Sequence, residues 1–259
     1  SMFKGYLSLT GHTAGLRGAL VVFQFFISIT LIVCTTVVYQ QLRFMEDGNL
    51  GYDKRDVLVL QETGLLGGKQ TVFREELLQD PRIKNVSVSG YLPAGTSYGN
   101  NFFVYPDDHP ADVVRTLRYD VDYQYIPVME MQLAQGRNFS QDFGTDSTGA
   151  IINQNAAKVF GWGSDARGRT LTHRDNDGKV TTYHVIGVVR DFHFRSLHEL
   201  ISPLVMVLGH SAGTMILKLK PGSDKKGVLK DIKARWDALG PGTPLTYSFL
   251  DGRIRRTYQ

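Results

Sequence analysis

The sequence predicts an α+β protein in which an N-terminal transmembrane helix is followed by a large globular domain. Three observations predict this fold class. Residues 19–39 contain no charged side chain, two later segments run in the order strand, helix, strand, and the region between those segments is rich in short strands and turns. The simplest arrangement is a helix-covered sheet, made by the two segments, with a strand-rich subdomain inserted between them.

The uncharged run at residues 19–39 is long enough to cross a bilayer. A helix of about 21 residues is about 31 Å long, and the hydrocarbon core of a membrane is about 30 Å thick. A cleaved signal peptide has a shorter apolar region, and no small-residue cleavage site follows this run. A buried core helix of this length without charge is unusual. We therefore predict a retained membrane helix that continues outward as a short stalk, residues 40–45.

Charges on either side of the run predict its orientation. Lys4 and Arg17 precede it without an acidic residue, whereas on the other side the next charges after Arg43 are those of Glu46 and Asp47. Positive charge favours the cytoplasmic side of a membrane. The N-terminus is therefore predicted to lie inside the cell and the globular domain outside it.

Polar residues within the run share one face of the predicted helix. Gln24, Ser28 and Thr35 are separated by four and seven residues, which is close to whole helical turns. Polar groups in lipid usually turn towards other helices, where their hydrogen bonds can be satisfied. We predict that this face packs against further membrane helices. The alternative is a lone anchor that tolerates Gln24 by extending its amide towards the interface.

Composition excludes several classes of function. The formal net charge of +4 at pH 7 comes from scattered Lys and Arg, with no basic run interleaved with aromatic residues, so nucleic-acid binding is not predicted. The single cysteine, Cys34, lies inside the predicted membrane helix, which excludes a disulfide framework and a cysteine metal site.

Two strand–helix–strand segments enclose the strand-rich region of the globular domain. Their elements, in chain order, are strand 57–60, helix 69–79 and strand 86–89, then strand 215–220, helix 225–239 and strand 245–250. Such a pair would form a split β-α-β sandwich with strands on one side and helices on the other. The region between them includes one helix, residues 153–160, and a hairpin turn at Asp177-Gly178.

A cluster of chemically active residues spans positions 191–199. It contains two histidines with acidic neighbours, which could bind zinc with Glu199 as a general base. The five-residue spacing of His193 and His198 does not place both rings on one helix face, as the four-residue spacing of zinc proteases does. Local hydrogen bonds that fix a turn are the preferred interpretation. No catalytic constellation, metal or cofactor is therefore predicted.

Many short stretches of this sequence follow the order of one known family. They are LVVFQFFISITLIV after Leu16-Arg17, QQLRFM, Leu50-Gly51-Tyr52, Tyr91-Leu92-Pro93 with the Gly-Asn run at 99–101, residues 126–133, Gly136-Arg137-Asn138-Phe139, residues 150–153, residues 185–189, Asp191-Phe192-His193-Phe194 and Ser196-Leu197-His198-Glu199. In these stretches the chain resembles the MacB/FtsX-type permeases of ABC transporters, in the Bacteroidetes-type version with a MacB-like periplasmic core domain.

The resemblance implies a porter-like half, built from the two strand–helix–strand segments, and an inserted strand-rich half. The expected division is a cytoplasmic segment 1–17, a membrane helix and stalk 18–45, a first porter-like part 46–92, the inserted subdomain 93–210, a second porter-like part 211–250 and the start of a returning stalk 251–259. The resemblance also implies a structural signature rather than a metal site at Gly136, Arg137, Asp191, His193, His198 and Glu199.

The function that the resemblance implies is export or mechanical activation outside the membrane. In such permeases a separate cytoplasmic ATPase hydrolyses ATP, and the membrane helices pass the motion to the periplasmic domain. We expect a non-catalytic protein of the bacterial inner membrane, with its globular domain in the periplasm. The expected partners are a cytoplasmic ABC ATPase, another permease half or subunit, membrane lipid and a periplasmic cargo or partner protein, but not nucleic acid.

Two alternatives stay open at this point. One is a ligand-sensing ectodomain of a membrane signalling receptor, which would need an output domain elsewhere in its parent protein. The other is an anchored metalloenzyme that uses His193 and His198. The resemblance also leads us to expect that the chain is part of a longer permease, with Phe3-Lys4-Gly5 similar to the start of the second half of a duplicated one.

Overall fold

The computed structural model describes residues 10–47, 51–92, 100–107, 112–192, 200–209 and 213–252. The chain divides into two units, Ser1–Gly48 and Asn49–Gln259. The first unit holds helix α1, Thr10–Asp47, an unbroken helix of 38 residues. Its apolar span, Gly18–Gln41, has a mean hydropathy of 2.4 and is exposed throughout. The predicted N-terminal apolar helix is therefore confirmed. The helix continues past residue 39 to Asp47, and the stalk predicted at residues 40–45 stays a prediction.

The described part of the second unit mixes strands and helices. In chain order they are β1 (Val57–Gln61), α2 (Gln70–Leu78), β2 (Ile83–Val88), β3 (Asn100–Pro106), β4 (Val114–Val121), α3 (Tyr125–Met129), β5 (Leu133–Gly136), β6 (Gly149–Asn153), α4 (Gln154–Val159), β7 (Thr170–Arg174), β8 (Val180–Val189), β9 (Leu204–Leu208), β10 (Thr214–Leu219), α5 (Lys225–Leu239) and β11 (Tyr247–Phe249). Short 3₁₀ helices lie at Thr63–Lys69 and Gly144–Thr148. The fold class is α+β, as predicted.

Four strands form an antiparallel sheet in the order β11-β1-β10-β2. Helix α2 connects β1 to β2 and helix α5 connects β10 to β11, so each helix joins two parallel strands that have a third strand between them. Both helices pack on one face of the sheet, because Phe73 of α2 and Trp236 of α5 share an apolar cluster with Leu58 and Leu217 of the strands. This is the split sandwich that the sequence predicts.

Helix α5 has the bounds that the sequence predicts, and its residues explain them. The Asp224 side chain accepts a hydrogen bond from the backbone amide two residues later, which caps the first turn. Gly240 ends the helix with a φ of 65°, a torsion that suits glycine. Val228, Ile232 and Trp236 recur every four residues and are buried against the sheet, while lysines occupy the opposite face.

The other strands form a barrel. Strands β8, β6, β9, β4, β3 and β7 pair in that order, and β7 pairs with β8 again, so the ring of hydrogen bonds is closed; β5 adds to the edge of β8. The predicted hairpin turn joins β7 to β8, with Gly178 at a φ of 81°. Apolar side chains of alternate strand residues fill the barrel, among them Phe102, Ile152, Leu171 and Val207.

A third apolar cluster, here called the middle cluster, joins the sheet to the barrel. It contains Val59 and Ile216 from the uncovered face of the sheet together with Tyr119 and Met206 from the outside of the barrel. The barrel lies in the chain between β2 and β10, whose ends are neighbours: the Ser89 amide donates to the Thr214 carbonyl oxygen at 3.1 Å. Both faces of the four-stranded sheet are therefore buried.

Candidate functional site

The three polar residues predicted to face neighbouring helices are exposed on α1. The Ser28 hydroxyl donates to the Gln24 carbonyl oxygen at 2.9 Å, and the Thr35 hydroxyl donates to the Leu31 carbonyl oxygen at 2.7 Å. These hydroxyls satisfy their own donors within the helix, as serine and threonine often do in membrane helices. The prediction that this face packs against other helices stays a prediction, and the amide of Gln24 is its strongest reason.

The chain enters the second unit through residues 51–56, here called the lead-in segment. Gly51 has a φ of 80°, and a Cβ atom at this position would lie 2.5 Å from the Asp191 carbonyl oxygen. The next residue, Tyr52, packs edge-on against Phe192 with ring centroids 6.2 Å apart. Two motifs that are far apart in the sequence, Gly51-Tyr52 and Asp191-Phe192, therefore meet in space, and only glycine fits the first position.

Asp191 acts as a helix cap. Its Oδ1 accepts a hydrogen bond from the Asn155 backbone amide at 2.8 Å, in the first turn of α4. Asn153 caps the same helix, and its Oδ1 also accepts from the Leu204 amide at 2.9 Å. Asp191 thus ties the loop after β8 to the start of α4. The other predicted signature residues of this loop, His193, His198 and Glu199, lie outside the described residues.

Gly136 and Arg137 hold a loop of the barrel against β8. A side chain at Gly136 would overlap the Ile186 carbonyl oxygen, so the two backbones approach closely. The Arg137 guanidinium forms two hydrogen bonds with the buried Asp146 carboxylate, at 2.6 and 2.7 Å, and lies over the Phe143 ring. The hydrogen bonds from Arg137 lower the pKa of Asp146.

The chain leaves the sheet by β11, which pairs with β1, the strand by which it enters: Leu58 is opposite Phe249. Leu250, directly after β11, is buried in the middle cluster, and so is Tyr52 of the lead-in segment. The chain is helical at residues 250–252. The returning stalk predicted at 251–259 stays a prediction, because residues 253–259 lie outside the described residues.

Helix α3 was missed in the sequence analysis. It has five residues, one of them Pro127, and so shows no helical periodicity. Asp122, just before α3, reaches the sheet: its Oδ1 accepts from the Ser87 hydroxyl at 2.6 Å and its Oδ2 from the Val88 amide at 3.0 Å. These hydrogen bonds lie at the edge of β2 with which no described strand pairs. They are charge-assisted, and they join the barrel to the sheet in addition to the apolar contact.

A second polar contact, also missed, lies at the other end of α3. Glu130 follows α3 with a φ of 50° and pairs with Lys84 of β2 at 2.8 Å and with Lys218 of β10 at 3.5 Å. The signal available in the sequence was Lys218 itself, a charged residue inside an otherwise apolar strand. Alternation along that strand predicts that the Lys218 side chain is exposed. In the structure it lies on the face of the sheet that the barrel covers.

Comparison with known proteins decides the family. A profile described as the MacB-like periplasmic core domain matches residues 19–235. The chain belongs to this family. MacB-like periplasmic core domains are parts of ABC transporter permeases, so the resemblance drawn from the sequence is confirmed. No match was found among curated proteins.

Solved structures show the same fold. The periplasmic region of MacB from Actinobacillus actinomycetemcomitans aligns with a TM-score of 0.55 at 16% identity, covering 82% of this chain and 97% of that one. A permease-protein domain from Porphyromonas gingivalis aligns with a TM-score of 0.51 at 12% identity, covering 76% of this chain and 92% of that one. At these identities the likeness concerns the fold alone.

The MacB-like core domain of this chain offers contacts suited to holding segments together. Within the described residues, no group of three or more His, Cys, Asp or Glu side chains is placed to hold a metal ion. The charged groups of Arg137, Asp122 and Glu130 are each engaged with protein partners. The arrangement fixes the lead-in segment, α3 and the barrel loops relative to the sheet.

Proposed function

We propose that this MacB-like core domain and its membrane helix work by mechanical coupling within an ABC transporter permease. In this proposal, a partner ATPase hydrolyses ATP in the cytoplasm and the motion passes through α1. The second unit then exports a cargo or activates a partner protein in the periplasm. The chain lies in the inner membrane of a bacterium, pairs with another permease half or subunit, and carries out no catalysis itself.

One observation carries the proposal: the residues just before β1 and just after β11 are buried in the same apolar cluster. Tyr52 and Leu250 belong to the middle cluster, which also joins the sheet to the barrel. A displacement applied to either of these residues would reach both halves at one place. Close-packed interiors transmit such displacements because their compressibility is low.

The length of α1 supports the same proposal. Its apolar span ends at Gln41, and the helix continues for six further residues to Asp47. Gly51 follows after three intervening residues, a segment that reaches about 14 Å at full extension. The helix is continuous with the membrane span and only a few residues connect it to the lead-in segment. Little chain is therefore available to absorb a displacement of α1.

The predicted site residues take structural roles in this proposal. Gln24, with Ser28 and Thr35, would face other membrane helices of the permease, since a buried interhelical site satisfies the amide of Gln24 better than lipid does. Gly136, Arg137 and Asp191 would keep the barrel loops fixed while the domain moves, through the close backbone contact, the paired carboxylate and the helix cap described above.

The partner of the full-length protein tests the class of function. The experiment purifies that protein from its native membranes in mild detergent and identifies what accompanies it. A stoichiometric cytoplasmic ABC ATPase supports the proposal. A histidine kinase, or no ATPase in a preparation that stays folded, would overturn it and favour the sensory ectodomain.

A matched pair of glycine variants tests the coupling. In the full permease with its ATPase, Gly51→Ala forces a side chain against Asp191, whereas Gly178→Ala has the same sign of φ but open space around it. We expect Gly51→Ala to keep ATP hydrolysis but to lose any nucleotide-dependent change in amide exchange of β1 and β9. Gly178→Ala should keep both. Equal behaviour of the two variants would contradict coupling through the lead-in segment.

A further inference from the structure

Lys218 is a charged residue buried inside the second unit. It lies in β10 between Leu217 and Leu219, and only 4% of its side chain is exposed. An ammonium group is costly to bury unless charged and polar partners surround it. The identity of those partners therefore indicates what the position does.

Three acceptors from two other segments surround the ammonium group. Lys218 Nζ donates to the Arg55 carbonyl oxygen at 3.0 Å, and it lies 3.4 Å from Asp53 Oδ2 and 3.5 Å from Glu130 Oε2. Arg55 and Asp53 belong to the lead-in segment, and Glu130 ends α3. One side chain of β10 thus holds the segment that follows α1 and the helix that follows barrel strand β4.

Backbone contacts and unusual torsions mark the same place. The Asp53 amide donates to the Met129 carbonyl oxygen at 3.0 Å, and the Asp56 carbonyl oxygen accepts from the Leu219 amide at 2.8 Å. Asp56 and Glu130 have φ values of 56° and 50°, and they are two of the three non-glycine residues with positive φ in the described ranges. Such torsions persist where the surroundings fix them, and they cluster at functional positions.

The balance of charge explains why this position holds a lysine. Burial alone would raise the pKa of Asp53, but hydrogen bonds from Arg55 and the charge of Lys218 outweigh it and hold the pKa well below its usual range. A neutral side chain in place of Lys218 would remove the cation that the carboxylates of Asp53 and Glu130 share, so that only Arg55 and Lys84 would balance their repulsion. For stability alone, an apolar side chain of similar volume often serves as well as a buried ion pair.

We propose that Lys218 is a positioning residue whose ammonium group fixes the lead-in segment to β10 and to the end of α3. The consequence for mechanical coupling rests on the proposed function, whereas the fixing of the segment does not. The contact makes the lead-in segment, the sheet and helix α3 of the inserted subdomain move as one body.

Amide hydrogen exchange of the full chain in detergent tests the proposal with Lys218→Met, which keeps the length of the side chain and removes the charge. We expect exchange at the Asp53 and Arg55 amides to rise at least tenfold while the central amides of β1 stay protected. Unchanged exchange at Asp53 and Arg55 would overturn the proposal. A rise of equal size in β1 would also overturn it, because it would indicate general loss of folding.

Lys84→Met is the matched control. Lys84 pairs with the same Glu130 carboxylate, at 2.8 Å, but its side chain is 49% exposed and its ion pair does not involve the lead-in segment. We expect this variant to leave exchange at Asp53 and Arg55 within twofold of the wild type. An increase as large as that of Lys218→Met would mean that any loss of charge at Glu130 loosens the segment, and would contradict a specific role of Lys218.

A second substitution separates charge from packing. In the Lys218→Met background, Glu130→Gln removes one of the two repelling carboxylates, so exchange at Asp53 should fall at least threefold towards the wild-type rate. If packing alone mattered, the second change would not restore protection. Should Lys218→Met fail to fold, Asp53→Asn removes one ionic partner of Lys218 from the lead-in side and should loosen the same amides. Protection unchanged in Asp53→Asn would overturn the proposal.

The functional consequence has its own readout in the complete permease. Lys218→Met should keep the ATPase rate but reduce the nucleotide-dependent change in amide exchange of β9, whereas Lys84→Met should not. Normal coupling in a Lys218→Met protein with a loosened lead-in segment would contradict only the consequence for coupling. A parent protein without an ATPase partner would contradict the proposed function. It would not contradict the positioning role of Lys218, which the exchange experiment tests separately.

Discussion

The two halves of the second unit keep their folds in different ways. The four-stranded sheet is open, so it depends on α2 and α5 to cover one face and on side chains to cover its β2 edge, where Arg74 donates to the Val86 carbonyl oxygen at 3.4 Å. The barrel closes on itself and leaves no free edge within its ring. Both halves have a buried apolar core. The comparison teaches that the first half needs helices and side chains to cover what strand pairing leaves open, whereas strand pairing closes the second half.

The largest effect should come from removing the main buried side chain of the helix-covered half. Trp236 is almost fully buried, packs edge-on against Phe73 and donates to the Thr243 carbonyl oxygen at 2.8 Å. We expect Trp236→Ala to lower the free energy of unfolding by about 3–5 kcal/mol. Lys233→Ala, on the exposed face of the same helix, should change it by less than about 0.5 kcal/mol.

Denaturant unfolding measures the difference in free energy of unfolding between the two variants. Tryptophan fluorescence can report on the barrel in the same experiment. The protein has two tryptophans, and the other one, Trp162, lies in the barrel cluster. Because the middle cluster joins the halves, Trp162 fluorescence in Trp236→Ala should change in the same transition as the circular dichroism signal. Two separate transitions would show that the halves fold independently and would break the comparison.

The next largest effect should come from a backbone contact in the barrel. A Cβ atom at Gly187 would overlap the Arg137 carbonyl oxygen, where β5 pairs with β8. We expect Gly187→Ala to destabilise the protein by about 3 kcal/mol, since neither backbone can move without breaking strand pairs. Gly144→Ala, at a position with open space, is the control. Equal unfolding midpoints for the two variants would contradict the role given to this contact.

Acid should weaken the helix-covered half through a single ion pair. The hydrogen bond from Arg82 lowers the pKa of the buried Asp80 from 3.8 to about 2. A carboxyl group with a lowered pKa stabilises the fold above the pKa of its unfolded form, and that stability is lost as pH falls from about 4 towards 2. The loss should be about 2 kcal/mol.

Urea unfolding between pH 5 and pH 2 checks this expectation. Asp80→Asn should have lower stability at pH 5 and a smaller decrease between pH 4 and pH 2 than the wild type. A decrease of the same size in both proteins would assign the acid sensitivity to other carboxyl groups, such as Asp146 of the barrel, whose pKa is also lowered.

The smallest effect should come from changing the geometry of an ion pair without changing its charge. Arg137→Lys keeps a cation beside Asp146 but loses the paired hydrogen bonds and the contact with Phe143. We expect a loss of about 1 kcal/mol in the free energy of unfolding. The pair of Arg169 with Asp165 provides the control, because the Asp165 side chain is 81% exposed whereas that of Asp146 is buried, and Arg169→Lys should have a smaller effect.

The same contrast explains how much of the fold could be predicted from the sequence. The helix-covered half follows from local signals: the apolar period of α5, its Asp224 cap and the flanking apolar strands lie within about 35 residues of one another. The barrel was predicted only as strand-rich, because its ring depends on distant pairs such as Val104 with His173. The apolar periodicity of a segment indicates that it is a strand but not which distant strand it pairs with.

The candidate site shows a similar division. Motifs that the resemblance marks, Gly136-Arg137 and Asp191, could be selected in advance, although their physical roles required the positions of Ile186, Asp146 and Asn155. Asp122 and Glu130 could not be selected, because each is a charged residue that composition alone assigns to the surface. Lys218 differs from its apolar neighbours in the strand, but alternation assigns it to the surface as well. Their burial or engagement depends on the barrel covering the sheet.

The hydrogen bond between Ser89 and Thr214 also bears on where the chain can tolerate insertions. Because the two ends of the barrel's sequence meet there, the sheet and its helices have the topology of a small domain in which the barrel connects the adjacent strands β2 and β10. Loops at the far side of the barrel can gain or lose residues without altering the path between Gly51 and Leu250. Residues that pack in the middle cluster, such as Tyr119 and Met206, should tolerate less change, because they are buried between the barrel and the sheet.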